Sequence, residues 1–223
     1  MSDWYELVER DHDVQNPTSA EKVRLAGEYL RLMPEDRVLD VACGTCGPAI
    51  VLAQAFGCRI HGIEVRAAFA EQAREQIDAA GLADRIDVEV GDASQAELGS
   101  YDVALCLGAA FVWGHIGDAA RALVQVAPRI AIGEPFARAE GTHEEGFPDL
   151  PATVARFESA GVDLIGLAAA SEDDWDRYES LHWRAAVDAG GDEVLATYRL
   201  RRDRHLRRRS TLGWAIFVGR VRD

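Results

Sequence analysis

An aspartate at the end of an apolar run, followed at once by a loop of small residues, is the part of this 223-residue chain best suited to chemistry. In VLDVACGTCGP, Val38 to Pro48, the residues Val38, Leu39 and Val41 read as a buried strand ending at Asp40. Ala42, Gly44 and Gly47 then let the backbone turn sharply and come close to a ligand. That combination predicts a nucleotide-type cofactor site. Acids also close two later runs, Glu64 after RIHGI and Asp92 after RIDVEVG, and Leu107-Gly108-Ala109 closes a fourth. Side chains able to move a proton collect elsewhere: His12 near the N-terminus, His115 after FVWG, Glu134 in GEPF, and Tyr178 and His182 in DWDRYESLHW. Trp4 and Tyr5, ahead of the first predicted helix, and Phe111, Trp113, Phe136 and Trp175 could wall an apolar pocket or hold a cation against a ring face. Trp175, Tyr178, Leu181 and His182 have helical three-and-four spacing, so they make either a lid face or, with Trp183, the packed side of a helix.

The elements that must carry these residues alternate. NPTSAEKVRLAGEYLRLM predicts a helix opened by a capping box of Thr18 and Glu21, with Val23, Ala26, Leu30 and Met33 on one face. Strands follow at 37–41, 59–65, 85–92, in the run from Tyr101, and in RIAIGEPF, ending near Glu134 so that Glu134 and Phe136 fall on the loop beyond it, with helices at 48–57, 66–81 and 118–126 between them. Five strands separated by crossovers describe a parallel sheet covered on both faces, whose ligands bind beyond the carboxyl ends of its strands. Past Gly146 the pattern predicts a helix at 150–160, a strand at 163–167, one long helical stretch from Glu172 to Arg209 and a last strand at 211–221. Gly141 to Pro148 reads as a surface loop, so the chain divides into an arm and helix (1–33), a cofactor-binding half (34–136) and a helical cap (171–209) inside one domain, 1–223.

Bulk composition limits the partners. The formal charge of −14 argues against a nucleic-acid backbone as the main one. Tyr198 to Ser210 runs against the trend with seven arginines and one aspartate, leaving the remainder at about −20 by formal count. That strip is either a grip for RNA or an anionic substrate, or a helix face paired with the acidic run Ser171 to Asp176. No apolar run reaches about 18 residues and the N-terminus is acidic, which predicts no membrane association and a cytoplasmic location. Cys43, Cys46, Cys58 and Cys106 fit a reducing compartment as packed thiols.

Taken in order, Asp40 with its loop, Glu64, Gly91-Asp92-Ala93 and Leu107-Gly108-Ala109 resemble a class I S-adenosylmethionine-dependent methyltransferase over about the first 135 residues. In that family the first loop usually reads Asp-x-Gly-x-Gly-x-Gly; here Ala42 and Cys46 stand at the first and third glycines. The resemblance implies a Rossmann-like methyltransferase fold: a seven-stranded, mostly parallel sheet with helices on both faces and a helical insertion before the last strand. It implies S-adenosylmethionine as cofactor and S-adenosylhomocysteine as product; no metal is expected, since zinc at Cys43 and Cys46 would need a second ligand pair and none is spaced nearby. Asp40 would then accept around the methionine end, with Ala42 and Gly44 giving backbone access, and Glu64 would take both ribose hydroxyls in a carboxylate fork. Asp92 and Ala93 would face the adenine, and Leu107 and Gly108 the slot leading to the sulfonium. CLGAAFVWG, GEPF and the tail look like a branch of small bacterial methyltransferases with no assured acceptor.

Methyl transfer chiefly needs alignment and exclusion of water, with a base only for a protonated acceptor; His115, Glu134 and Tyr178 are the candidates. A small-molecule acceptor is expected. An RNA or protein methyltransferase docking on Arg201 to Arg209, and a non-catalytic cofactor binder, stay open. Two other rivals rest on spacing. Ala42, Gly44 and Gly47 with Glu64 also match a dinucleotide-binding oxidoreductase, although Asp40 would repel a pyrophosphate. Cys43-Gly44-Thr45-Cys46 has the form of a redox dithiol, but the chain is far longer than a thioredoxin domain.

Overall fold

The computed structural model describes residues 2–222. The chain opens with α1 (Ser2–Val8), so Trp4 and Tyr5 lie in a helix rather than ahead of the first one. An irregular arm leads to α2 (Ala20–Tyr29). Ser19, extended at φ −129° and ψ 161°, caps this helix by accepting from the Lys22 amide. The expected Thr18 cap fails because Thr18 belongs to a turn closed by its own amide on the Asn16 carbonyl. Arg31 at φ 53° ends the helix too early for Met33, which stands about half exposed while Val23, Ala26 and Leu30 are buried.

Then come β1 (Arg37–Val41), α3 (Gly47–Phe56), β2 (Arg59–Glu64), α4 (Ala67–Ala79), β3 (Ile86–Val90) and β4 (Val103–Leu107). A 3-10 turn at Ala110–Val112 leads into α5 (Ile116–Leu123) and β5 (Arg129–Ala137). Gly57 takes the left-handed position that stops α3. The expected loop at 141–148 holds two short paired strands, β6 (His143–Glu144) and β7 (Phe147–Pro148). The rest is α6 (Leu150–Glu158), β8 (Val162–Ala169), α7 (Glu172–Ala189), α8 (Asp192–Arg208) and β9 (Leu212–Val221). One long helix from 172 to 209 is therefore two, broken where Gly190 and Gly191 both take positive φ.

The seven strands run in the order β3-β2-β1-β4-β5-β9-β8. The first five are parallel, and β9 is antiparallel to both β5 and β8. Five-strand parallel order, helices on both faces and an insertion before the last strand agree with the expectation. Because β1 and β4 are central, they bury side chains on both faces: Val38, Leu105 and Leu107 on one, Leu39, Ala104 and Cys106 on the other. Order reverses between β1 and β4, so the crevice beyond their carboxyl ends is where a ligand belongs.

No described helix is long and apolar enough to cross a membrane. The arginine strip is spent largely within the chain. Arg209 pairs with Glu172 and Asp176, Arg204 and Arg208 with Glu145, and Arg202 with Asp203. Arg201 lies over the rings of Trp4 and Tyr5. Those two rings thus hold a cation of the chain's own.

Candidate cofactor and acceptor site

The loop after β1 keeps a tight contour without its full set of glycines. Ala42 at φ 53° and Cys46 at φ 62° adopt the left-handed conformation, as Gly44 does at φ 56°. Each non-glycine residue there costs about 1–2 kcal/mol, which the surrounding core offsets by burying the Cys46 thiol completely. Cys43 and Cys46 are both buried, their sulfurs packed over Gly62. The Cys46 contact and burial push the Cys43 thiol up, the opposite of what a redox nucleophile requires.

Asp40 is 2% exposed and its Oδ2 has no hydrogen-bond partner. Burial, with the charge of Glu64 adding to it, pushes its carboxyl up to about 7. Glu64 spans the first two loops: Oε2 accepts from the Gly44 amide at 3.0 Å and Oε1 from the Arg66 amide at 2.9 Å. A carboxylate offers about four acceptor positions, so capacity remains for two more donors. Asp92 turns one oxygen to the amide and hydroxyl of Ser94, which holds it below the usual carboxylate range. Together with Val41, Ala42, Ile63, Val65, Gly91, Ala93, Ser94 and Val112 it lines a mainly apolar cleft of about 240 Å³.

The structure thus places Asp40, Ala42 and Glu64 at the ends of neighbouring strands and Asp92 and Ala93 at the adjoining cleft. Gly44 and Gly108 have another immediate neighbour. A Cβ at residue 44 would stand 2.1 Å from Gln15 Oε1, one at 47 would stand 1.7 Å from the Asp13 carbonyl, and one at 108 would stand 1.9 Å from Asn16 Oδ1. Gln15 also accepts from the Thr45 amide at 2.9 Å, and Asn16 donates to the Leu107 carbonyl at 3.1 Å. The arm from Asp13 to Asn16 therefore lies across the carboxyl ends of β1 and β4. Sequence reasoning missed Gln15 and Asn16; the only available signal was a run of amide and acidic side chains, DHDVQN, with no periodicity to place it. Below the arm, Trp214 of β9 stacks under Gly133, whose carbonyl accepts from the Gly108 amide at 3.0 Å. That contact sets the height of the Gly108 loop.

Among the described residues, no hydrogen bond or ion pair joins His115, Glu134 and Tyr178 to one another. His115 is the N-cap of α5, its Nδ1 accepting from the Gly117 and Asp118 amides at 3.2 and 3.3 Å. Tyr178 donates its hydroxyl to Glu9 at 2.7 Å, and burial with the Glu9 charge pushes its phenol well up. Glu134 lies within β5 and not on a loop, opposite Ala215 of β9. It is 9% exposed, and burial pushes its carboxyl up to about 7 despite the nearby charge of Arg156. Around them, Phe111 is exposed, Phe136 is core, and Trp175 and Trp183 pack their rings against His205.

Residues 38–131 match the family described as "Methyltransferase domain". The chain is 29% identical to YjhP of Escherichia coli K12, with 96% of each chain covered. It is 31% identical to the 27-O-demethylrifamycin SV methyltransferase of Amycolatopsis mediterranei, over 74% of this chain and 65% of that one. A crystal structure of an S-adenosylmethionine-dependent methyltransferase from Geobacter sulfurreducens in complex with S-adenosyl-L-homocysteine superposes with a TM-score of 0.90 at 28% identity. The match covers 100% of this chain and 99% of that one.

Proposed function

Since the chain belongs to the class I S-adenosylmethionine-dependent methyltransferases, we propose that it transfers a methyl group from that cofactor to a small molecule in the cytoplasm. The observation that carries the acceptor class is the cover over the site. The arm from Asp13 to Asn16 crosses the ends of β1 and β4, and α7 grips that arm through the His12–Tyr178 and Arg177–Asp13 contacts. A site closed in this way admits a small acceptor more readily than a polymer. Arginines paired with Glu145, Glu172 and Asp176 are also poor candidates for gripping RNA phosphates. The relative named for a rifamycin acceptor agrees with this reading and covers 74% of the chain. We read 1–223 as one domain with the cap of 171–209 built into it, and the four free cysteines suit a reducing cytoplasm.

The residues present fit the cofactor. The unpartnered Oδ2 of Asp40 can accept near its methionine end, and the remaining capacity of Glu64 suits a ribose diol. The apolar cleft beside Asp92 and Ala93 suits adenine. Bound there, the cofactor supplies an electrophilic methyl on a sulfonium. The chain's own part is to hold the Gly108 loop at its height through Gly133 and Trp214, and to exclude water with the arm. Glu134 is the group we assign to take a proton from the acceptor, since it directly follows Gly133, whose carbonyl holds the Gly108 loop, and burial pushes its carboxyl up to about 7. His115 and Tyr178 have hydrogen-bonding tasks already, at the α5 cap and at Glu9.

Titration calorimetry with S-adenosylmethionine and NADH, on wild type and Glu64→Ala, tests the cofactor. Binding of the first alone, weakened by the substitution, is expected, whereas binding of NADH alone would overturn the reading. Incubation of a cell extract with methyl-labelled cofactor tests the acceptor. Label is expected in the small-molecule fraction, and label confined to RNA or protein would refute the acceptor class.

A further inference from the structure

Away from the cofactor site, Glu9, His12 and His182 meet where the N-terminal arm packs on α7, and all three are at least 95% buried. We propose that these residues form a binding site for a divalent transition-metal ion of the zinc class, pinning the arm to the cap. One ligand-capable atom from each residue lies within 4.8 Å of the others. His12 Nδ1 and Glu9 Oε2 are already 3.6 Å apart, close to the spacing of about 3.3 Å between tetrahedral ligands that bind zinc at 2.0–2.1 Å.

The hydrogen bonds around the trio have the arrangement that a metal site needs. His12 Nε2 stands 2.9 Å from the Tyr178 carbonyl, which can only accept, so Nε2 carries the proton and Nδ1 presents a lone pair toward Glu9. A ring N–H donated to a backbone carbonyl is the usual outer support of a ligating imidazole. His182 Nε2 lies 3.0 Å and Tyr178 Oη 2.7 Å from Glu9 Oε1.

Three polar atoms of the trio remain buried without a hydrogen bond: Glu9 Oε2, His12 Nδ1 and His182 Nδ1. Leaving such atoms unpaired costs about 1–3 kcal/mol each, so an arrangement serving only as structure would be a poor one. Two imidazoles and one carboxylate form a ligand set for zinc or a similar borderline cation, and too nitrogen-rich for magnesium or calcium. A metal here would act at a distance from the cofactor loop. His12 precedes Asp13, whose carbonyl lies over Gly47, so a cation joining His12 to His182 would fasten that backbone across the loop.

The test is calorimetry with zinc chloride on full-length protein stripped by a chelator, comparing wild type with Glu9→Gln, His182→Ala and His61→Ala. His61 sits on β2 beside Asp87 and Glu89, the alternative surface ligands. A single tight equivalent that weakens at least about tenfold in Glu9→Gln and His182→Ala but persists in His61→Ala supports the proposal. No binding by wild type, or binding lost only with His61→Ala, overturns it. Should the buried variants fail to fold, cobalt absorption of wild type and His61→Ala decides: a tetrahedral visible band in both supports the site, and a band absent from either refutes it.

Discussion

Asn16 and Gly108, 92 residues apart in sequence, fit together as one piece: Asn16 Nδ2 donates to the Leu107 carbonyl at 3.1 Å while its Oδ1 lies 1.9 Å from where a Cβ on residue 108 would stand. Residue 108 also has φ +84°, so two independent reasons require glycine. Gly108→Ala is expected to dislodge the arm and to cost about 1–3 kcal/mol in chemical denaturation. It should also weaken S-adenosylhomocysteine binding in calorimetry. Unchanged stability and affinity would show that the arm does not rest on this loop.

This pairing marks the limit of what the sequence tells. Strand ends at Asp40 and Glu64 were legible because apolar runs bounded by small residues have a strong local signature. The cleft beside Asp92 followed from chain order alone. The arm was not legible, because Gln15 and Asn16 are held by contacts to Thr45 and Leu107, and no local pattern encodes contacts across that separation. The break at Gly190-Gly191 is a different case: two successive glycines are a local signal for ending a helix, but the helical spacing that continues on either side of the pair masks it. Glu134, expected on a loop, is in a strand because β9 extends the pairing of β5 through Ala137.

Left-handed Ala42 at φ 53° carries a penalty that glycine would not. Ala42→Gly is expected to raise stability by up to about 1 kcal/mol, since relief of the strain exceeds the extra freedom gained by the unfolded chain. Urea denaturation measures this directly, and a loss of stability would show that the Ala42 methyl contributes more by packing than its backbone costs.

Asp40 makes the unliganded protein sensitive to pH. Its carboxyl rises from 3.8 to about 7 on folding, so the native state binds the proton more tightly than the unfolded chain. Stability contributed by this group is full below about pH 4 and is lost as pH rises through about 7, at no more than about 1.4 kcal/mol per pH unit. Glu134 adds to the same slope. Asp40→Asn should flatten the decline between pH 5 and 7 in thermal unfolding while weakening cofactor binding; a parallel decline in both proteins would refute the assignment.

Glu134 offers the sharpest division between structure and catalysis. A carboxyl held at about 7 by burial takes up a proton only when ionised, so kcat for an acceptor that loses a proton should rise with pH and level off above about 7. Glu134→Gln keeps the volume and removes the titration. It is expected to lower kcat by about 10²–10⁴-fold and to abolish the rise near pH 7, with affinity for S-adenosylhomocysteine unchanged. Stability of this variant above pH 7 should increase, because a buried charge no longer forms. A gain in stability with kcat and its pH profile intact would make Glu134 a buried strand residue and return the search for a base to the arm and α7.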